Sequence, residues 1–111
     1  MTNPAPHARI VLTTAASPDQ AARLGRTLVE EQLAACATLL PGAQSIYRWQ
    51  GQIESATETL LLLKTALDQL PALQARLLEL HSYQTPEFLV LPVESGSPAY
   101  LHWLTASLRP S

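Results

Sequence analysis

Charge is scarce in this 111-residue chain: only 14% of residues are Asp, Glu, Lys or Arg, against roughly 25% in an average soluble protein. The apolar share is 47% and the formal net charge only −2, which is too apolar and too weakly charged for intrinsic disorder. With so few charges to cover the outside, some apolar surface is expected to be hidden against another subunit. The seven Lys and Arg form no basic run, which argues against a nucleic-acid partner, because such binding draws on phosphate neutralisation. A single cysteine, Cys36, cannot close an intrachain disulfide, so the fold needs no oxidising compartment. Apolar runs such as Leu60–Leu63 are short, far below the roughly 20 residues of a membrane helix. Ile10–Leu12 is likewise too short for a signal-peptide core. A cytoplasmic protein without a membrane partner is expected. The four glycines are scattered, and no G-x-S-x-G, P-loop or G-x-G-x-x-G occurs, so no enzyme signature is present.

What is there is patterned. Leu and Ala supply a third of the residues, enough for one core and one domain. Residues 1–9 hold two prolines and read as a flexible arm, leaving 10–111 as the domain. Ile10–Thr14 is β-branched and apolar, and reads as a buried strand. Ser17-Pro18-Asp19-Gln20 places Ser at the N-cap, Pro at the first helical position and Gln three residues on, a capping box that opens a helix fading near Leu33. Cys36–Leu40 and Ser45–Trp49 flank Pro41-Gly42, which predicts two short strands or one bulged strand at a sheet edge. After a turn at Gln50-Gly51, a strand runs from about Ile53 to Thr65. Its continuous Leu60–Leu63 suits a central strand covered on both faces. A second helix from about Asp68 carries the stripe Leu70, Leu73, Leu77 and Leu80. A polar loop over 81–87, a strand over 88–93 and a last helix opening at Ser97-Pro98 complete the chain. The order predicts an α+β, ferredoxin-like βαββαβ sandwich with an additional C-terminal helix.

Few residues carry chemistry. Cys36, between a helix end and a strand, reads as a small buried hydrophobe rather than a nucleophile. His81 and Glu87 bracket one loop and offer imidazole and carboxylate to Cu(II) or another divalent cation; the competing role of His81 is to end the second helix. Lys64 is a charge at the end of a buried strand, which needs a partner or a path to water. Beside Tyr83 and Glu87 it would bind a small anion, or form a structural ion pair. Trp49 and Tyr47 add aromatic surface on the hairpin. From Cys36 to Ile53 the only charge is Arg48, which leaves an apolar edge with little to discourage pairing.

Several separate motifs then occur in one order: Leu33-Ala34-Ala35-Cys36, Pro41-Gly42, Ser45–Trp49 with Gly51, Lys64-Thr65, His81 with Tyr83, Pro86-Glu87, Leu91-Pro92-Val93 and Tyr100–Leu104. With them the chain resembles the CutA family of divalent-cation-tolerance proteins, from about Ile10 to Leu108. The resemblance implies a non-enzymatic homotrimer, a role in the response to metal ions and copper binding in some members, with no obligatory cofactor. On this reading a ligand-binding cleft between subunits is expected near Trp49, Lys64, Tyr83 and Glu87, with His81 as the metal ligand. Some copper-binding members carry a cysteine in the first strand and a His-His pair at the end of the second helix. Here those positions are Thr13, Leu80 and His81, and only His81 can coordinate. The other readings are a trimeric sensor of the PII type, taking a small anionic metabolite in its clefts, and a purely structural trimer.

Overall fold

The protein is described here by a computed structural model over residues 7–110. Four strands and three helices follow one another as β1 (Ala8–Ala15), α1 (Pro18–Glu30), β2 (Cys36–Trp49), β3 (Gln52–Ala66), α2 (Leu70–Leu80), β4 (Leu89–Pro92) and α3 (Pro98–Ala106), with a 3₁₀ turn at Leu67–Gln69 leading into α2. Of the expected arm, residues 1–6 lie outside the described residues, whereas Ala8 and Arg9 already belong to β1. The sheet order is β2-β3-β1-β4, every neighbouring pair antiparallel. This is the ferredoxin-like strand order expected from the sequence.

Local signals set the element boundaries. Ser17 accepts the Gln20 backbone N–H at 3.2 Å and starts α1, but the reciprocal half of the capping box is missing. The Gln20 side chain instead accepts from the Ser82 hydroxyl at 3.2 Å. Pro41-Gly42 does not split the strand. β2 is continuous and shifts register between Leu40 and Ala43, with Gly42 at φ +78°, a left-handed conformation that costs glycine nothing. The bulge keeps the β2–β3 hairpin paired out to Trp49 opposite Gln52. A 15-residue β3 spans about 50 Å at the usual rise, which accounts for overall dimensions of 52 × 25 × 22 Å.

Alternation along the strands divides the sheet into two unlike faces. Val11, Thr13 and Ala15 of β1 and Thr59, Leu61, Leu63 and Thr65 of β3 are fully buried, packed with Leu24 and Leu28 of α1 and Leu73 and Leu77 of α2. Gly25 lets α1 approach the sheet: a Cβ there would lie 3.0 Å from that of Ala37. The opposite face carries no helix except at one end, where α3 packs on Ala8. Register aligns Leu89, Leu12, Leu62 and Thr38 in one row across it, and Leu91, Ile10, Lys64 and Cys36 in the next. Its side chains are half-buried or exposed, with Leu89 at 55% and Leu40 at 49%. The double cover expected for β3 is thus present on one face only. Cys36 lies on the open face and is half-buried, not in the core as expected.

α3 packs a smaller cluster, Leu101 and Leu104 against Ala8 and Ala35, at one end of the sheet. Gln69, almost fully buried, donates to the Arg109 carbonyl at 2.8 Å and ties the C-terminal segment down. Two hydroxyls on the helix-covered face, those of Thr13 and Thr59, are buried without a hydrogen-bond partner. An unpaired buried hydroxyl costs free energy that a methyl group does not. Thr13→Val and Thr59→Val are therefore expected to stabilise the protein by about 1 kcal/mol each, read as higher denaturant midpoints. Lower midpoints would mean that both hydroxyls find partners in solution.

Candidate functional site

The polar groups with unusual surroundings gather where the loop after α2 returns to the sheet. His81 ends α2 by turning into extended backbone, while its own N–H still donates to the Leu77 carbonyl at 2.9 Å. The ring does not face the helix end. Its Nε2 lies 2.6 Å from the Thr14 carbonyl of β1, and its Nδ1 accepts the Tyr83 backbone N–H at 3.0 Å. A carbonyl can only accept, so Nε2 carries the hydrogen and the lone pair on Nδ1 is already occupied.

Tyr83 packs its ring on His81, centroids 4.7 Å apart, and its phenol donates to Glu58 Oε2 at 2.7 Å. Glu58 stands on β3 opposite Ala43, the first residue paired beyond the bulge. Burial pushes the Glu58 carboxyl up, but hydrogen bonds from Ser45, Tyr83 and Thr14 outweigh it and hold the group below the ordinary carboxylate range. Burial, the bond to Glu58 and that residue's charge push the Tyr83 phenol up to about 12. Glu87 is raised by burial and then by the charge of Glu58. The cluster therefore combines an anionic acceptor, a phenol held as donor and a second, weaker acid. This hydrogen-bonded lock joins β1, β3 and the loop.

The other expected site residues are elsewhere in the chain. Lys64 lies six residues from Glu58 along β3, about 20 Å at the usual strand rise. Its ammonium donates to Thr38 Oγ1 at 2.7 Å and approaches Cys36 Sγ at 3.8 Å. Trp49, opposite Gln52, is six β3 residues from Glu58 in the other direction, at the far end of the hairpin and 58% exposed. A single chain thus brings His81, Tyr83 and Glu87 to one region but not Lys64 or Trp49. Glu58, Ser45 and Thr14 were missed by the sequence reading. Glu58 carries a faint signal as an acid in a strand, but Thr14 meets His81 through its backbone carbonyl, which no residue pattern marks, and Glu58 through its side chain.

As folded, these residues do not suit Cu(II). Both nitrogens of His81 are engaged, and the expected partner positions hold no donor. Thr13 is fully buried on the helix face, and Leu80 is apolar. No three His, Cys, Asp or Glu side chains are gathered for a metal among the described residues.

The family described as CutA1 divalent ion tolerance protein matches residues 9–107. The chain belongs to the CutA1 family. It is 50% identical over 104 residues to the divalent-cation tolerance protein CutA of Citrobacter koseri, covering 94% of this chain and 90% of that one. The crystal structure of CutA1 from Oryza sativa superposes with a TM-score of 0.93 at 34% identity, over 97% and 99% of the two chains. A CutA from Archaeoglobus fulgidus, described as periplasmic, is similar at a TM-score of 0.89 and 31% identity, over 92% and 99%. Divalent-ion tolerance is not in itself an enzymatic activity. No helix among the described residues is long and apolar enough to cross a membrane.

Glu58 supplies a pH test of the lock. A carboxyl whose folded pKa is depressed contributes stability that is full above its unfolded value and lost as pH falls through the folded one. Tyr83→Phe removes a donor to the anion and should flatten the loss of stability below about pH 4.5, the ordinary carboxylate value, as well as lowering stability at neutral pH. Denaturation midpoints followed from pH 7 to pH 3 measure both effects. Parallel acid profiles for the two proteins would remove Tyr83 from the account of Glu58.

Proposed function

We propose that this CutA1-family chain serves divalent-cation tolerance and the response to metal ions as a cytoplasmic homotrimer, by binding rather than by catalysis. The family match over residues 9–107 carries the reading. The trimer draws its support from the surface one chain leaves uncovered: the part of the second sheet face beyond α3, and a hairpin end with Ile46 69%, Trp49 58% and Ile53 63% exposed. Apolar area on this scale points to burial between chains. A closed ring satisfies strand edges without leaving an end for further growth.

In such a ring the hairpin of one subunit reaches its neighbour. Trp49 and Lys64 then complete, from different chains, the cleft whose third part is Tyr83 with Glu87. The cation, Cu(II) or another divalent ion, is not held by His81 in this reading, because coordination would break one of its two ring hydrogen bonds.

Sedimentation should show a trimer at micromolar concentration, and Trp49→Ala should weaken it by about 3–5 kcal/mol, the cost of truncating a core aromatic. A persistent folded monomer would overturn the assembly. Expression of the chain in a bacterium lacking its own CutA should restore growth on elevated copper or zinc, and failure by a soluble trimer would overturn the tolerance role. Under Cu(II) titration, His81→Ala should lose stability but keep its copper affinity within about twofold, whereas loss of a metal ligand shows as a change of tenfold or more.

A further inference from the structure

On the helix-covered side of the molecule, the end of β1, the first half of α1 and the end of α2 enclose a cavity of about 340 Å³, at the lower end of the range for small-molecule sites. It lies on the opposite side of the sheet from the open face. Gln20, Arg23 and Thr27 succeed one another at helical spacing and turn into the same cavity. Leu24 and Leu80 supply apolar walls, and no Asp or Glu lines it.

Among its polar groups, Arg23 and Gln20 supply nitrogen donors. The ion pairs among the described residues are Arg26–Glu30, Arg76–Glu31 and Arg76–Glu79, so Arg23 brings an uncompensated guanidinium. The carbonyl oxygen of Gln20 is occupied by the Ser82 hydroxyl, which orients the amide and leaves its N–H₂ as the free end. On the neighbouring wall, the Nε2 hydrogen of His81 is directed to the Thr14 carbonyl, so the imidazole offers the cavity no acceptor lone pair. A cation in a planar fork, an amide donor and an apolar wall together select a carboxylate with an apolar body over a cation or a neutral polar molecule.

We propose that this cavity is a binding site for a small organic carboxylate, with Arg23 and Gln20 holding the carboxylate and Leu24 and Leu80 packing its body. The site lies within one chain and is distinct from the cleft formed between subunits.

Benzoate is a suitable probe and benzyl alcohol its neutral counterpart, titrated into the assembled, isotope-labelled protein by NMR. Benzoate should give saturable shifts at the Gln20, Arg23 and Thr27 amides and the Leu24 and Leu80 methyls, with a Kd of about 1–10 mM. Benzyl alcohol should bind at least tenfold more weakly. Arg23→Gln, at an exposed helix position, should weaken benzoate at least tenfold, whereas Arg26→Gln, one turn further on and outside the cavity, should leave it unchanged. Shifts that fail to saturate or that map elsewhere would overturn the proposal. So would equal losses in the two arginine variants, which would reduce the effect to general charge attraction.

Discussion

The fold depends on how β3 is covered. Its run Leu60-Leu61-Leu62-Leu63 places apolar side chains on both faces of one strand, and a βαββαβ connection delivers both of its crossover helices to the same side. Leu61 and Leu63 are therefore fully buried beneath α1 and α2, while Leu62 remains half-buried in a row with Leu12 and Leu89, and Leu60 in a row with Thr14 and Leu40. Full burial of one such side chain is worth about 1.5–3 kcal/mol. A row left partly in water forfeits much of that gain.

Strand length accounts for the distribution of the chemical residues. β3 runs from the hairpin end past Glu58 to Lys64, so groups six residues apart on it cannot meet, however favourably their chemistry matches. Within a chain, Glu58 is served by what lies beside it: Tyr83 from the loop, Ser45 from the strand beyond the bulge, and Thr14. Lys64 finds Thr38 and Cys36 in its own row. The loop residues form a rigid junction because each hydrogen-bonding capacity is used once: His81 Nε2 on Thr14, Nδ1 on Tyr83, and the phenol on Glu58.

The architecture was legible in the sequence because its signals are local. Ser17-Pro18 and Ser97-Pro98 mark helix starts, and both serines accept a backbone N–H three residues on. Pro41-Gly42 announced a bulge or a break, and tertiary pairing with β3 decided for the bulge. The site was less legible, because proximity between β3 and the 81–87 loop depends on register. Lys64 and Glu87 look like natural partners in a list of charges, yet Glu87 lies near Glu58, six residues from Lys64 along β3. Cys36 was misplaced for a related reason. Its apolar neighbours Ala34 and Ala35 are buried, and only the pairing of Cys36 with Lys64 shows that its side chain takes the open face.

His81 shows how family membership and local chemistry can diverge. A histidine at the end of the second helix suggests a ligand, and the family's association with divalent cations strengthens that suggestion. A ligand histidine, however, needs one free nitrogen and gains from a hydrogen bond at the other. In this chain both nitrogens serve the backbone, one anchoring β1 and the other shaping the turn into Tyr83. Ser82 adds the contact to Gln20 that steadies α1 against the same loop. Pulling the ring toward a metal would release the Tyr83 N–H or the Thr14 carbonyl, and with it the placement of the phenol on Glu58. The histidine is thus committed to holding the loop.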